Sequence, residues 1–107
     1  MIRLVWTEPA VADLDSIHAY ISRDAEVYAD AVILEILDSV ERLAQFAESG
    51  RFVPELEDAK TRELIVGNYR VMYEVGSQAV MILTVLHGAR EFPVPHNHGE
   101  PIPGKDA

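Results

Sequence analysis

The 107-residue chain contains no cysteine, only two lysines and no long apolar run. Without cysteine it can form neither a disulfide framework nor a thiolate metal site. No window of about 18 consecutive apolar residues is available to cross a bilayer. The N-terminal residues also lack the apolar run and the small-residue cleavage site of a secretory signal peptide. We therefore expect a cytoplasmic protein with one domain, the usual number for this length.

Basic side chains are outnumbered by acidic ones. Nine Lys and Arg stand against 18 Asp and Glu, which gives a net charge of −9 at pH 7. Proteins that bind nucleic acid without sequence preference neutralise phosphates with clustered Lys and Arg. The sequence has no such cluster, which argues against direct DNA or RNA binding. An acidic surface instead favours a basic protein partner, or serves solubility alone.

The N-terminal region predicts a strand followed by an amphipathic helix. Residues 2–6 form a short apolar run with a single arginine. Thr7 is a candidate N-cap for the helix, and Pro9 is tolerated in a first turn. Apolar residues then recur at helical spacing and form one stripe. The stripe consists of Ala10, Leu14, Ile17 and Ile21.

A second and longer helix is predicted over residues 26–47, with Asp24 as its N-cap and Gly50 as its C-terminal stop. Its apolar stripe consists of Ala29, Ile33, Ile36, Val40, Leu43 and Ala47, and is widened by Leu34, Leu37 and Ala44. A face this broad is expected to contact both the first helix and a sheet. Because the connection between the helices is short, they should form an antiparallel hairpin.

The C-terminal half predicts a loop and then three strands. Residues 51–61 contain a proline and several acids without any period, as is typical of a loop. The strands are predicted over 62–66, 69–75 and 79–87, and two short connections make them an antiparallel meander. We therefore expect an α+β fold, in which an N-terminal strand precedes a helical hairpin packed on a three- to four-stranded antiparallel sheet.

The lengths of the two turns predict a register for the meander. Ile65 should lie opposite Arg70, and Arg70 opposite Thr84. The core face would then carry Leu64, Val66, Tyr69, Val71, Tyr73, Met81, Leu83 and Val85. The other face would carry Glu63, Arg70, Met72, Glu74, Ile82 and Thr84. A half-polar sheet face is either solvated or a binding surface.

Arginine and histidine side chains supply the candidate chemistry. Arg62, Arg70 and Arg90 either form an anion-facing cluster, because guanidinium groups suit phosphate or carboxylate, or serve solubility. His87 ends the last strand, where it is either a structural side chain or a general acid or base. In the catalytic role it would need a partner within hydrogen-bond reach, and Glu55 is a candidate.

Other site classes find little support in the sequence. There is no glycine-rich phosphate loop, nucleotide fingerprint or nucleophile elbow. His96 and His98 are two residues apart but have no evident third ligand, so no specific metal site and no cofactor are predicted. The aromatic residues are interpreted as core and helix–sheet packing rather than a base-stacking platform. They are Trp6, Tyr20, Tyr28, Tyr69 and Tyr73.

As a set, several segments have a family resemblance. They are "VWTEPAVADLDSIHAYI", "GRFVPEL", "RELIVGNYRVMYEV" and "VMILTVLHGAREF". The chain resembles the ParE branch of the RelE/ParE toxin superfamily, also called plasmid stabilisation system proteins, over about residues 2–92. The strings "REL…G.YR..Y" and "VLHGAR" are the most specific. The resemblance implies a toxin domain over 1–92, which leaves a proline-rich extended tail over 93–107.

The resemblance also implies a function and partners. Members are toxins of type II toxin–antitoxin modules, each bound and neutralised by a small DNA-binding antitoxin whose C-terminal segment wraps the toxin. ParE-type members poison DNA gyrase by contact and need no cofactor, whereas RelE-type members cut mRNA on the ribosome. We therefore expect a hetero-oligomer with an antitoxin and gyrase as the target. The net charge also leaves open a homologue that is no longer toxic and only binds antitoxin.

The two branches make different demands on side chains. Arg70 matches the family's mid-strand arginine and Arg90 the arginine after the last strand, but the paired lysines of RelE-type enzymes are missing. Glu55, Arg70 and His87 match a YoeB-type catalytic set, while Gly88 stands where that set has tyrosine. The missing groups and the acidic charge favour the gyrase poison over a metal-free endoribonuclease.

The gyrase hypothesis and the ribonuclease hypothesis predict different roles for the site residues. Under the gyrase hypothesis no residue is catalytic. The expected partner contacts are then Arg62, Arg70, His87, Arg90, Ile17, Ile21 and Ile33. Under the ribonuclease hypothesis the catalytic residues are Glu55, Arg70, His87 and Arg90.

Overall fold

The computed structural model describes residues 2–57 and 60–88, in which two helices pack on a five-stranded sheet. The elements in chain order are β1 (Arg3–Trp6), α1 (Glu8–Ser22), α2 (Glu26–Glu41), a 3₁₀ turn (Arg42–Ala44), β2 (Arg51–Phe52), β3 (Thr61–Val66), β4 (Tyr69–Val75) and β5 (Ala79–His87). In the sheet the strand order is β1-β5-β4-β3-β2, with β1 parallel to β5 and the other pairs antiparallel. The predicted α+β fold is confirmed, with one strand more than expected.

The extra strand lies in the segment that was predicted to be a loop. β2 pairs with β3, so that Arg51 lies opposite Glu63 and Phe52 opposite Arg62. Two residues are too few to show the period-two alternation that reveals a strand in a sequence. The C-terminal residues 89–107, with Arg90, His96, His98 and the predicted tail over 93–107, lie outside the described part of the chain.

The start of α1 follows the sequence prediction, whereas the start of α2 does not. Thr7 is extended, and its Oγ1 accepts a hydrogen bond from the Ala10 N–H at 3.4 Å. The N-cap of α2 is Ala25 rather than Asp24, and it has no side-chain hydrogen bond. The Asp24 and Ala25 N–H groups both donate to Ile21 O, each at 3.0 Å. They thereby continue the last turn of α1, so the extended cap conformation falls one residue later.

Gly50 does not stop the second helix, which ends earlier than predicted. α2 gives way to the 3₁₀ turn after Glu41. Gly50 is buried, and its N–H donates to the Tyr73 hydroxyl at 2.8 Å. A Cβ at this position would clash with the Tyr73 hydroxyl and would lie 2.6 Å from Glu63 O. The glycine is therefore required by close packing under the sheet.

The core lies between the helices and one face of the sheet. Its buried members are Ala10, Val32, Ile36, Val40, Leu43, Val66, Val71, Tyr73, Val80, Ile82 and Val85. Val32 belongs to the core although it was not part of the predicted apolar stripe. Leu34 and Leu37, which were expected to widen it, are 62% and 38% exposed. The two helices are also tied together by a hydrogen bond of 2.7 Å between His18 Nε2 and Asp30 Oδ1.

The predicted register holds for one turn of the meander and fails at the other. Ile65 lies opposite Arg70, as expected. Arg70, however, lies opposite Leu86 instead of Thr84, because the β4–β5 turn is longer and the register shifts between Met72 and Tyr73. The shift is a β-bulge, which reverses the alternation of inward and outward side chains along the rest of the strand. Ile82 therefore belongs to the core.

Two core-face assignments on β5 are corrected by the same bulge. Met81, predicted inside, is 38% exposed, while Leu83 is half-buried and is not among the residues of the core cluster. Side chains at the N-cap and in the first half of α1 form hydrogen bonds with backbone groups of β5 at the bulge. Thr7 Oγ1 donates to Ile82 O at 2.7 Å, and Asp13 Oδ2 accepts the Val85 N–H at 2.9 Å. Within the described residues, no helix is both long and apolar enough to span a bilayer.

Candidate functional site: an arginine–glutamate network on the outer sheet face

Arg70 lies in the middle of β4, on the sheet face turned away from the helices, where two carboxylates hold its guanidinium. Nη1 and Nη2 donate to the two oxygens of Glu55 at 2.9 and 2.8 Å. Nε donates to Glu63 Oε1 at 2.6 Å. The other oxygen of Glu63 accepts from Arg51 Nε at 2.6 Å. The two guanidiniums therefore meet two carboxylates, and we call these four residues the Arg–Glu network.

Burial differs sharply among the members of the Arg–Glu network. The Arg70 side chain is 8% exposed and that of Glu63 is 0% exposed, whereas those of Glu55 and Arg51 are 22% and 60% exposed. Within the described part of the chain, every buried side-chain nitrogen or oxygen has a hydrogen-bond partner. A buried ion pair is tolerated only when its groups are paired in this way.

The carboxylates keep Arg70 charged despite its burial. The pKa of Arg70 is raised, chiefly by the hydrogen bonds to Glu55 and also by Glu63, against the opposing effect of burial. A bidentate guanidinium–carboxylate pair is among the strongest polar contacts in proteins. Arg70 is thus a cation whose charge is balanced inside the protein.

Strand pairing and a short turn assemble the network. Glu63 lies opposite Met72 while Ile65 lies opposite Arg70, so Glu63 and Arg70 are diagonal neighbours on one face. Arg51 faces Glu63 directly across β2 and β3. The register predicted from the sequence puts Glu63 on the face of Arg70, but it does not by itself predict an ion pair between them. The signal available in the sequence was the position of Glu63, an acid two residues from the one predicted opposite Arg70, because such diagonal neighbours are within reach of long side chains.

Glu55 comes from the segment that follows β2. The Leu56 N–H donates to Val53 O at 3.1 Å, which closes a turn. Val53 is only 1% exposed and anchors this turn to the protein. Its burial brings Glu55 over the sheet face that carries Arg70.

An open pocket of about 450 Å³ lies beside the network at the end of the sheet. Its lining includes Arg51, Glu55, Arg70, Tyr69 and His87. His87 is exposed and contacts Tyr69 edge to face, with the ring centroids 5.5 Å apart and the planes at 80°. The structure therefore brings together three of the predicted site residues, Glu55, Arg70 and His87. Arg90 is not among the described residues.

Arg62 stands apart from this pocket, contrary to the predicted arginine cluster. It donates to Glu48 O at 3.1 Å and to Gly50 O at 2.9 Å. Its guanidinium carbon lies 4.5 Å from the centre of the Phe52 ring. Neighbouring residues of a strand point to opposite faces, which separates Arg62 from Glu63. Arg62 thus fixes the segment before β3.

The isoleucines expected to contact a partner are partly buried inside the protein. Ile17 and Ile21 pack against the core, and Ile33 is half-buried. The exposed apolar surface of the hairpin comes from other residues, among them Val27 at 84%. Tyr20 and Tyr28 are 71% and 60% exposed, so their interpretation as packing residues was wrong.

Comparison with known proteins identifies the family. The family model described as ParE toxin of type II toxin–antitoxin system, parDE, matches residues 4–92. The chain belongs to this family. It is 35% identical over 91 residues to toxin RelE2 of Caulobacter vibrioides, and the match covers 84% of this chain and 99% of that protein.

Solved structures agree with the assignment. The toxin fold matches a chain of the chromosomal ParDE system from P. aeruginosa with a TM-score of 0.68 and 28% identity, over 81% of this chain and 96% of that one. A chain of the RelBE2 toxin–antitoxin complex from Mycobacterium tuberculosis matches with a TM-score of 0.59 and 20% identity, over 80% and 96%. The second likeness concerns the fold alone. The protein is a type II toxin of the ParE/RelE superfamily.

Proposed function

We propose that this toxin acts in the cytoplasm by protein–protein contact on DNA gyrase and does not cut RNA. The observation that carries the proposal is the Arg–Glu network. Arg70 already has a bidentate carboxylate on one edge and a second carboxylate on Nε. A substrate phosphate would have to displace Glu55 to reach it. The transition state of RNA cleavage needs preorganised positive charge, which this balanced network supplies poorly.

The charge of the whole chain supports the same proposal. A net charge of −9 opposes approach to ribosomal RNA and to mRNA. It does not oppose contact with a protein surface of complementary charge. The family model that matches this chain is also named for ParE rather than for RelE.

The test is to express residues 1–107 without antitoxin and follow growth, mRNA integrity and the DNA damage response in the same culture. We expect growth arrest and a damage response while the mRNA stays intact. Codon-phased mRNA cuts would contradict the proposal. Normal growth would instead point to a homologue that has kept only antitoxin binding.

A cognate antitoxin of the ParD type is the second partner that we propose. A disordered acidic or amphipathic arm can wrap a large surface and order on binding. The proposed contacts are Arg62, Arg70 and His87 on the sheet, Arg90 in the sequence after the last strand, and the half-buried Ile17, Ile21 and Ile33 on the hairpin. Co-expression with the neighbouring reading frame should restore growth and give a complex that co-purifies. Restored growth without any complex would contradict direct neutralisation.

A metal-free endoribonuclease is the competing candidate, and one observation favours it. Glu55, Arg70 and His87 line a single pocket. Glu55 could take the proton of a 2′-hydroxyl, His87 could give a proton to the leaving oxygen, and Arg70 could face the phosphate. Ribosome-dependent cleavage that is lost in both Glu55→Gln and His87→Ala would establish this candidate.

A further inference from the structure

Two tyrosines stand exposed at the tip of the helical hairpin. Tyr20 belongs to the last turn of α1 and Tyr28 to the first turn of α2, and only three residues connect the helices. Their exposed fractions are 71% and 60%, which is high for side chains of this size. Aromatic rings with a polar tip are enriched at protein interfaces. Neither ring belongs to the hydrophobic core or packs against it.

A third tyrosine, Tyr69 in the sheet, is influenced by the two exposed tyrosines. Tyr69 begins β4 and is half-buried. Its pKa is raised by burial first, and then by the charges of Tyr28 and Tyr20. We call the two exposed residues at the hairpin tip, Tyr20 and Tyr28, the tyrosine patch.

The surroundings of the tyrosine patch suit a cation. The guanidinium carbon of Arg23 already lies 5.8 Å from the centre of the Tyr20 ring, within the range of cation–π attraction. Asp24 and Glu26 flank the patch in the sequence of the hairpin tip. Glu35 reaches the β3–β4 turn, since a Cβ on Gly67 would lie 3.9 Å from its Oε1. Three carboxylates thus accompany one guanidinium.

We propose that the tyrosine patch is a docking surface for an arginine-bearing basic segment of a partner protein. The planar guanidinium stacks on aromatic rings better than the ammonium of lysine does. The negative charge of the chain steers basic partners toward this surface. A second copy of the chain is a poor occupant, because each copy carries the same net charge of −9. The inference rests on the proposed function in one respect, namely that the toxin works by protein contact.

The experiment measures binding of defined peptides to the full chain at about 0.15 M salt by calorimetry. The probes are an arginine-rich peptide, the same peptide with lysine for every arginine, and one with glutamate. The variants are Tyr20→Ala/Tyr28→Ala and Tyr20→Phe/Tyr28→Phe. Phe46→Ala is the matched control, since Phe46 is 59% exposed and lies beyond the other end of α2. That end of the helix is about 20 Å from Tyr28. Circular dichroism checks that each variant is folded.

We expect the arginine peptide to bind the unaltered chain several-fold more tightly than the lysine peptide, and the glutamate peptide not to bind. The alanine double variant should bind the arginine peptide about tenfold more weakly, whereas the phenylalanine double variant and Phe46→Ala should bind it normally. Equal binding of the arginine and lysine peptides, or an alanine double variant that binds like the unaltered chain, would overturn the proposal.

A gyrase assay in parallel separates the two proposals. Inhibition of gyrase together with unchanged peptide binding in the alanine double variant would refute the docking surface alone. Ring-dependent peptide binding without any effect on gyrase would refute the proposed target and leave the docking surface standing.

Discussion

Two glutamates hold the guanidinium of Arg70, and they do so from different environments. Glu63 is fully buried and pairs with both Arg70 and Arg51, while Glu55 is 22% exposed and pairs with the outer edge of Arg70. The cost of removing a partner from a buried ion pair arises mainly from the charge that is left behind. The two carboxylates should therefore contribute very differently to stability.

We expect Glu63→Ala to lower the free energy of unfolding by roughly 3–5 kcal/mol, because it leaves a buried guanidinium without its inner partner. Glu55→Ala should lower it by less, since water can reach the edge of Arg70 that Glu55 vacates. Urea unfolding measured by circular dichroism gives both values. Equal losses in the two variants would contradict the network as described.

Close packing at Gly50 gives a second prediction at the same scale. A methyl group there collides with the Tyr73 hydroxyl and the Glu63 carbonyl. Gly50→Ala should destabilise the protein by about 1–3 kcal/mol, as overpacking usually does. The neighbouring and exposed Ser49→Ala is the control and should have little effect. Thermal unfolding measures the stability of both variants. If Gly50→Ala is as stable as Ser49→Ala, close packing at Gly50 is refuted.

At the scale of elements, the three strands of the meander follow from the sequence to within a residue. The Gly67–Asn68 turn is short, and Gly67 adopts a positive φ of 57° that suits glycine. The bulge could not be predicted from the sequence. Ile82 and Leu83 are consecutive and both apolar, so the pattern does not show which of them faces the core. Period-two patterns carry no information where both faces are apolar. Burial of Glu63 and exposure of Tyr20 were hidden for a related reason, since they depend on tertiary contacts.

The bulge depends on α1, which leads to a prediction about Asp13. Its Oδ2 accepts hydrogen bonds from the Val85 N–H and the Thr84 hydroxyl. Asp13→Ala leaves both donors partly buried without that acceptor, so the free energy of unfolding should fall by about 1–3 kcal/mol. Asp15→Ala removes the same charge from an exposed position and serves as the control. Similar unfolding midpoints for the two variants would show that Asp13 does not support the bulge.

For the molecule as a whole, the fold does not separate the two branches of the superfamily, whereas the net charge bears on the choice between them. The fold is shared by ParE and RelE toxins alike. The acidic composition and the internally neutralised Arg70 are the two features on which the proposed contact with gyrase, rather than cleavage of RNA, is based. Sequence patterns led to the fold and to the location of the site. They could not show that the site arginine is already paired, because ion pairing depends on which acids the fold brings near it.

The most direct test of the proposed function is DNA supercoiling by purified gyrase in the presence of the purified chain, alongside a translation reaction that reports mRNA cleavage. We expect the toxin to inhibit gyrase, antitoxin to relieve the inhibition, and mRNA on ribosomes to stay intact. Full gyrase activity at saturating toxin, together with mRNA cleavage that disappears in His87→Ala, would contradict the proposed function.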